Sequence, residues 1–240
     1  MIEKIKNVIT PTKKVIIFDA STLISLSMNG LFNEIVELKK VFKGKFIIPK
    51  EVKEEIIDKP LTIKRFELEA IRLQKLLDDK VLELPSSMRI DDATVSKKTS
   101  EMLALANDVF VGRGKSIKII GFGETACLAL SRILDEKGIK NVIAVDERTT
   151  RMLGEKPENL EQLLQKKLHM KITTKKKNFG GLGKFRFIRS AELVYIAWKK
   201  GIVKIKHENL LDALLYAVKF KGCSINDDEI REIKSINKKN

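Results

Sequence analysis

Four acidic side chains lie where an α/β protein would place chemistry: Asp19, Glu55, Glu124 and Asp146. Asp19 ends the apolar run Val15-Ile16-Ile17-Phe18 and is followed at once by Ser21 and Thr22. Asp146 ends a second run, Val142-Ile143-Ala144-Val145, and leads into Glu147, Arg148 and Thr149. Short apolar runs rich in β-branched residues read as buried central strands. In open α/β sheets, ligands sit just beyond the carboxyl ends of such strands. Glu124 falls in the first turn of a helix-like stretch opened by Gly121-Phe122-Gly123. Glu55 lies within Glu51–Asp58, where Glu51 and Glu55, and Glu54 and Asp58, form like-charge pairs at i,i+4. Such pairs repel mildly, and a bound cation would relieve them. Carboxylates that converge without histidine or cysteine suit a hard ion such as Mg²⁺ or Mn²⁺. That ion can activate water and clamp a phosphate during in-line attack. Each acid also has a plain structural reading. Asp19 or Ser21 can cap a helix, Glu124 can complement a helix dipole, and Glu51–Asp58 can be a solvated acidic face.

Composition narrows the classes. The chain has 240 residues, enough for one α/β domain with an elaboration. Hydrophobic residues make up 43%, which excludes a disordered chain. No apolar stretch approaches the roughly 20 residues that span a bilayer. The stretch Met1–Lys14 mixes Glu3 with lysines and has no apolar signal core. A soluble cytoplasmic protein is therefore expected, with no membrane partner. Cys127 and Cys223 sit in apolar contexts, and the histidines are His169 and His207, so a structural zinc site is not expected. The net charge of +15 arises from 47 Lys and Arg against 32 Asp and Glu. That excess favours a polyanionic partner, most simply nucleic acid.

The elements that would carry the acids follow in order. Residues 22–40 suit an amphipathic helix with a break near Asn29-Gly30. Phe46-Ile47-Ile48 is a short strand closed by Pro49, and Pro49 suits the first turn of a long helix to about Leu77. Val81–Leu84 reads as another short strand, and 91–109 as a helix. Val111-Gly112-Arg113-Gly114-Lys115 is a basic loop, too sparse in pattern for a phosphate loop. Helices are expected from Ser190 to Lys200, from Asn209 to near Gly222, and over 227–236.

Between them lies a strongly basic segment. Lys166, Lys167, Lys171, Lys175, Lys176, Lys177, Lys184, Arg186 and Arg189 crowd together around the glycine-rich turn Asn178–Gly183. Residues 171–177 and 184–189 read as the arms of a β-hairpin. Phe179, Phe185 and Phe187 interleave aromatic rings with the charge, as stacking on single-stranded bases requires. The alternative is a lysine-rich surface hairpin whose phenylalanines pack on the domain.

The order of these stretches resembles the PIN-domain nuclease family, in its archaeal-type form. The matching segments are Phe18-Asp19-Ala20-Ser21-Thr22-Leu23-Ile24, Ile48–Ile56, Gly121–Leu130 and Val142–Arg151. The chain departs from the family pattern at Val145, where Ser or Thr is common, and at Ala126-Cys127, where a further acid often follows Glu124. The resemblance implies a three-layer α/β/α fold with a central parallel sheet over 1–153, a basic hairpin insertion over 154–189, and C-terminal helices over 190–240. It implies a Mg²⁺- or Mn²⁺-dependent endoribonuclease that hydrolyses single-stranded RNA in RNA processing or ribosome biogenesis. Asp19, Glu124 and Asp146 would bind the ion, and Glu55 would bind or orient it. Ser21 would position Asp19 or a water. Arg148, Lys171, Lys175, Lys176, Lys177, Lys184, Arg186 and Arg189 would hold the RNA. A homodimer is one expected state. The rival is a non-catalytic RNA-binding PIN protein that serves as an assembly or processing factor.

Overall fold

The computed structural model describes residues 14–155, 157–175 and 184–236. Its centre is the parallel sheet β2-β1-β5-β7. Strand β1 is Lys14–Phe18, β2 is Lys45–Ile47, β5 is Lys140–Ala144 and β7 is Phe187–Ile188. The register runs Ile17 opposite both Ile47 and Ile143, and Ala144 opposite Ile188. Val15, Ile17 and Phe18 are essentially inaccessible, as a strand covered on both faces requires. Helices flank the sheet in the expected three-layer α/β/α arrangement.

Helix α1 (Ala20–Met28) and α2 (Phe32–Phe42) are separated at Asn29-Gly30, where Gly30 has φ +72°. The long helix expected after Pro49 is broken. It starts as α3 (Lys50–Lys53), widens into a π-helical turn over Glu54–Asp58, passes a 3₁₀ turn at Pro60–Thr62 and resumes as α4 (Glu67–Asp78). Proline at position 60 has no N–H to continue the helix. The expected strand at 81–84 reduces to a single bridge between Glu83 and Ile47. Helix α5 (Asp92–Ala106) packs on α6 (Phe122–Glu136), which lies against β1 and β5. Helices α7 (Arg148–Glu155) and α8 (Pro157–Leu168) follow β5. The chain closes with α9 (Ser190–Lys199), α10 (Leu210–Phe220) and α11 (Asp227–Ile236). Among the described residues, no helix is long and apolar enough to cross a membrane.

The basic segment differs from the expected hairpin. Strand β6 (Ile172–Thr174) pairs with β3 (Phe110–Gly112) in a small antiparallel sheet, and β4 (Lys115–Ser116) completes it. The other arm becomes β7 and extends the central sheet. The N–H of Ile143 donates to Arg186 O at 2.9 Å and that of Val145 to Ile188 O at 2.9 Å. Without β7, those donors on β5 would form an unpaired sheet edge, so the arm pairs there rather than with β6. The loop read as basic and glycine-bearing turns β3 into β4, with Arg113 and Gly114 at φ +50° and +75°. Two successive residues of positive φ suit a tight two-residue hairpin.

The aromatic rings of the segment also point inward. Phe185 is buried, and its ring centroid lies 6.2 Å from that of Phe187. A Cβ at Gly154 would stand 2.7 Å from the Phe187 ring, so β7 packs directly on α7. These two rings serve the core and not a bound base. Phe179 lies outside the described residues.

Candidate metal and phosphodiester site

Three of the four predicted acids open on one cleft of about 330 Å³ beyond the carboxyl ends of β1 and β5. Asp19, Glu55 and Glu124 line it, together with Ser21, Ile24, Phe122 and Glu147. Each acid arrives by a different local device. Asp19 is the residue before α1, and its Oδ2 accepts from the N–H of Ser21 at 3.0 Å and from its hydroxyl at 2.6 Å. That is the expected N-cap. Its Oδ1 is buried and has no hydrogen-bond partner. A buried carboxylate oxygen without a donor carries its full desolvation cost. Burial accordingly pushes the Asp19 carboxyl above its usual range, against the bonds from Ser21 and the backbone N–H of Ala20, and repulsion from Asp146 adds to the rise.

Glu124 sits in the first turn of α6, and its Oε2 accepts from the N–H of Gly121 at 2.5 Å. The dipole-complementing reading therefore holds for one of its oxygens. Burial, opposed by the Gly121 bond and reinforced by repulsion from Asp19 and Glu147, raises its carboxyl to about 7. Glu55 leaves the π-helical turn toward the same helix. A Cβ at Gly123 would stand 2.8 Å from Glu55 Oε2, so the glycine admits the carboxylate. Partial burial and repulsion from Asp19 raise the Glu55 carboxyl as well. The other acids of that stretch do not line the cleft, although Glu51 Oε2, like Asp19 Oδ1, is buried without a hydrogen-bond partner. Glu51 accepts from the Ser96 hydroxyl at 2.7 Å, Glu54 pairs with Lys50 at 3.6 Å and Asp58 with Lys53 at 2.5 Å. Side chains thus relieve the Glu54 and Asp58 pair, and of the four acids only Glu55 turns to the cleft.

Asp146 is placed differently. It is wholly buried, its Oδ1 accepts from Ser190 N and its Oδ2 from the Ser190 hydroxyl, each at 2.7 Å. Both oxygens thereby hold the start of α9, and the side chain does not line the cleft. The sequence expectation sets Asp146 with Asp19 and Glu124 as a ligand; the structure keeps its charge within reach of the Asp19 carboxyl but turns both oxygens to Ser190. Its neighbour Glu147 faces the cleft instead, and Glu147 Oε2 accepts from Thr150 N at 2.8 Å at the start of α7. The signal for Glu147 was present as the adjacent acid in Asp146-Glu147, but strand periodicity favoured Asp146. Ser21 links the two strand ends: its hydroxyl donates to Asp19 and accepts from the Asp146 N–H at 3.0 Å.

The predicted RNA contacts divide. Arg189 is largely buried, bound to Glu192 at 2.6 Å, to Glu229 at 2.7 Å and to the Ser224 carbonyl at 3.1 Å. It ties α9 to α11. Lys175 pairs with Asp108 at 2.7 Å, and Arg186 donates to the Asn141 carbonyl at 3.1 Å. Arg148, Lys171 and Lys184 are exposed. Lys176 and Lys177 lie outside the described residues.

The donors are all oxygens, and the orphaned Asp19 Oδ1 is the kind of atom a hard cation satisfies. The spacing is less complete: among the described residues, no three His, Cys, Asp or Glu side chains close on a point as an ion requires. No protein-family model matches the chain, and neither a curated protein nor a solved structure is significantly similar to it.

Proposed function

We propose that the protein is a Mg²⁺- or Mn²⁺-dependent ribonuclease that hydrolyses single-stranded RNA. The observation that carries this is the free, buried Asp19 Oδ1 on a cleft walled by Glu55, Glu124 and Glu147. In this reading Asp19 Oδ1 would be the first ligand, and Glu124 and Glu147, which share its cleft, would have to close on the ion, with Glu147 in the place first given to Asp146. A bound divalent cation would supply positive charge to the scissile phosphate and make an attacking water more acidic. The chain's own residues do the rest. Ser21 fixes the rotamer of Asp19 by its 2.6 Å hydrogen bond. Glu55, beside Gly123 in the same cleft, would bind the ion or orient a water on it. Glu124, held at Oε2 by the Gly121 N–H, presents its other oxygen to the ion. The excess of 47 basic over 32 acidic residues supports a polyanionic substrate.

A second reading, a non-catalytic RNA-binding assembly or processing factor, is favoured by one observation. Asp146 spends both oxygens on Ser190, and the remaining acids stay apart. A cleavage assay separates the two. Wild type should cut a single-stranded RNA in Mn²⁺ and not in EDTA, and Asp19→Asn and Glu147→Gln should lose the activity by at least 100-fold. RNA binding without cutting by wild type would leave the assembly-factor reading standing.

A further inference from the structure

We infer that an apolar groove beside the acidic cleft seats an unpaired base of the substrate strand, an inference that rests on the nuclease reading. The groove has a volume of about 480 Å³ and is walled by Ile24, Met28, Ile56, Phe66 and Leu73. Ile24, Met28 and Phe66 are 37%, 54% and 47% exposed, a cluster of large apolar side chains in one concavity. Exposed apolar surface of that kind marks an interaction site. The Arg65 guanidinium lies 5.4 Å from the Phe66 ring centroid, so a cation stands at the aromatic platform.

Continuity with the cleft identifies the occupant. Ile24 and Glu55 belong to the walls of both the groove and the cleft. Ser21 and Ile24 fall on one face of α1, three residues apart, and the π-helical turn presents Glu55 to the cleft beside Ile56 in the groove. A nucleotide strand alternates an anion with a flat ring. With a phosphate in the cleft, the neighbouring ring falls into the groove, where any base offers a face for stacking. Arg65 supplies a cation at the groove, where Glu55 and Glu69 are the acids of its wall. A base already paired in a duplex cannot enter, so the groove selects single strands.

The test uses a hexaribonucleotide carrying one 4-thiouridine, irradiated with the full chain in EDTA and in Mn²⁺, with adducts mapped by mass spectrometry. Anisotropy of the same oligomer is read for wild type, Phe66→Ala and Phe66→Tyr. Adducts are expected at Phe66, Met28 or Ile24. Affinity should fall about 5- to 100-fold in Phe66→Ala and be restored in Phe66→Tyr, with unchanged circular dichroism. Adducts confined to other surfaces together with equal affinities would overturn the base seat. So would sedimentation showing a wild-type dimer that Phe66→Ala dissolves, which assigns the groove to a second copy. Base docking without Mn²⁺-dependent cutting would remove the nuclease reading alone. Cutting by Phe66→Ala with an unchanged KM would remove the base seat alone.

Discussion

Asp19 and Asp146 occupy the same place in the sequence pattern and end in opposite circumstances. Each follows an apolar strand, and those strands, β1 and β5, are neighbours in the sheet. Asp19 keeps one oxygen bare at a cleft, whereas Asp146 gives both to Ser190. A strand end therefore fixes where a carboxylate starts, and a distant partner fixes which way it faces. Asp146 acts as glue for α9, and Asp19 carries an unmet electrostatic demand.

The largest expected effect breaks the structural half of this contrast. Asp146→Ala removes two hydrogen bonds from a charged acceptor to a helix start and should cost about 3 kcal/mol in urea unfolding. Asp19→Asn should cost under about 1 kcal/mol, because the orphaned oxygen stops being a buried charge. Equal losses would show that both acids are structural.

A pH series sharpens the other half. The Glu124 carboxyl titrates at about 7 in the fold and has an ordinary value of 4.5. Between those values the folded chain holds the extra proton, so its stabilising contribution is complete below 4.5 and is lost as pH rises through about 7. Without added metal, stability should fall over that window by about 3 kcal/mol at most, and Glu124→Gln should flatten the slope. Asp19, Glu55 and Asp146 shift in the same direction. A rise in stability over that window, unaltered in Glu124→Gln, would contradict the crowding of charge in the cleft.

A smaller effect tests the sheet that positions Asp146. Gly154→Ala places a methyl 2.7 Å from the Phe187 ring and should cost about 1–2 kcal/mol by displacing β7 from α7. The smallest concerns substrate: Lys171→Ala with Lys184→Ala should lower the salt slope of RNA binding by about 1 for each phosphate that the variant no longer neutralises. An unchanged slope would place the RNA elsewhere.

Much of this arrangement was legible in the chain. Val15–Phe18 and Val142–Ala144 announced the central strands through apolar, β-branched runs, and Asn29-Gly30 announced the break between α1 and α2. Asp19 and Glu124 stood out because strand ends and glycine-led helix starts are local signals, and Glu55 because like-charge pairs crowd its stretch. The fate of Asp146 was hidden because Ser190 lies 44 residues further on, and no local pattern encodes that bond. The basic arms read as a hairpin because charge and the glycine turn dominate their sequence. What decides their pairing is the open edge of β5 and the space above Gly154, both products of the assembled sheet. Arg189 read as a phosphate ligand for the same reason: Glu192 is near in sequence, but Glu229 arrives only with α11.

In the proposed function, the bare Asp19 Oδ1 meets a divalent cation. Calorimetric titration of Mn²⁺ into wild type and Asp19→Asn, at a pH above 7 where Glu124 is ionised, reads that contact. Saturable binding to wild type that weakens at least 10-fold in the variant is expected. Equal affinity in the two proteins, or no binding to wild type, would rule the cation out.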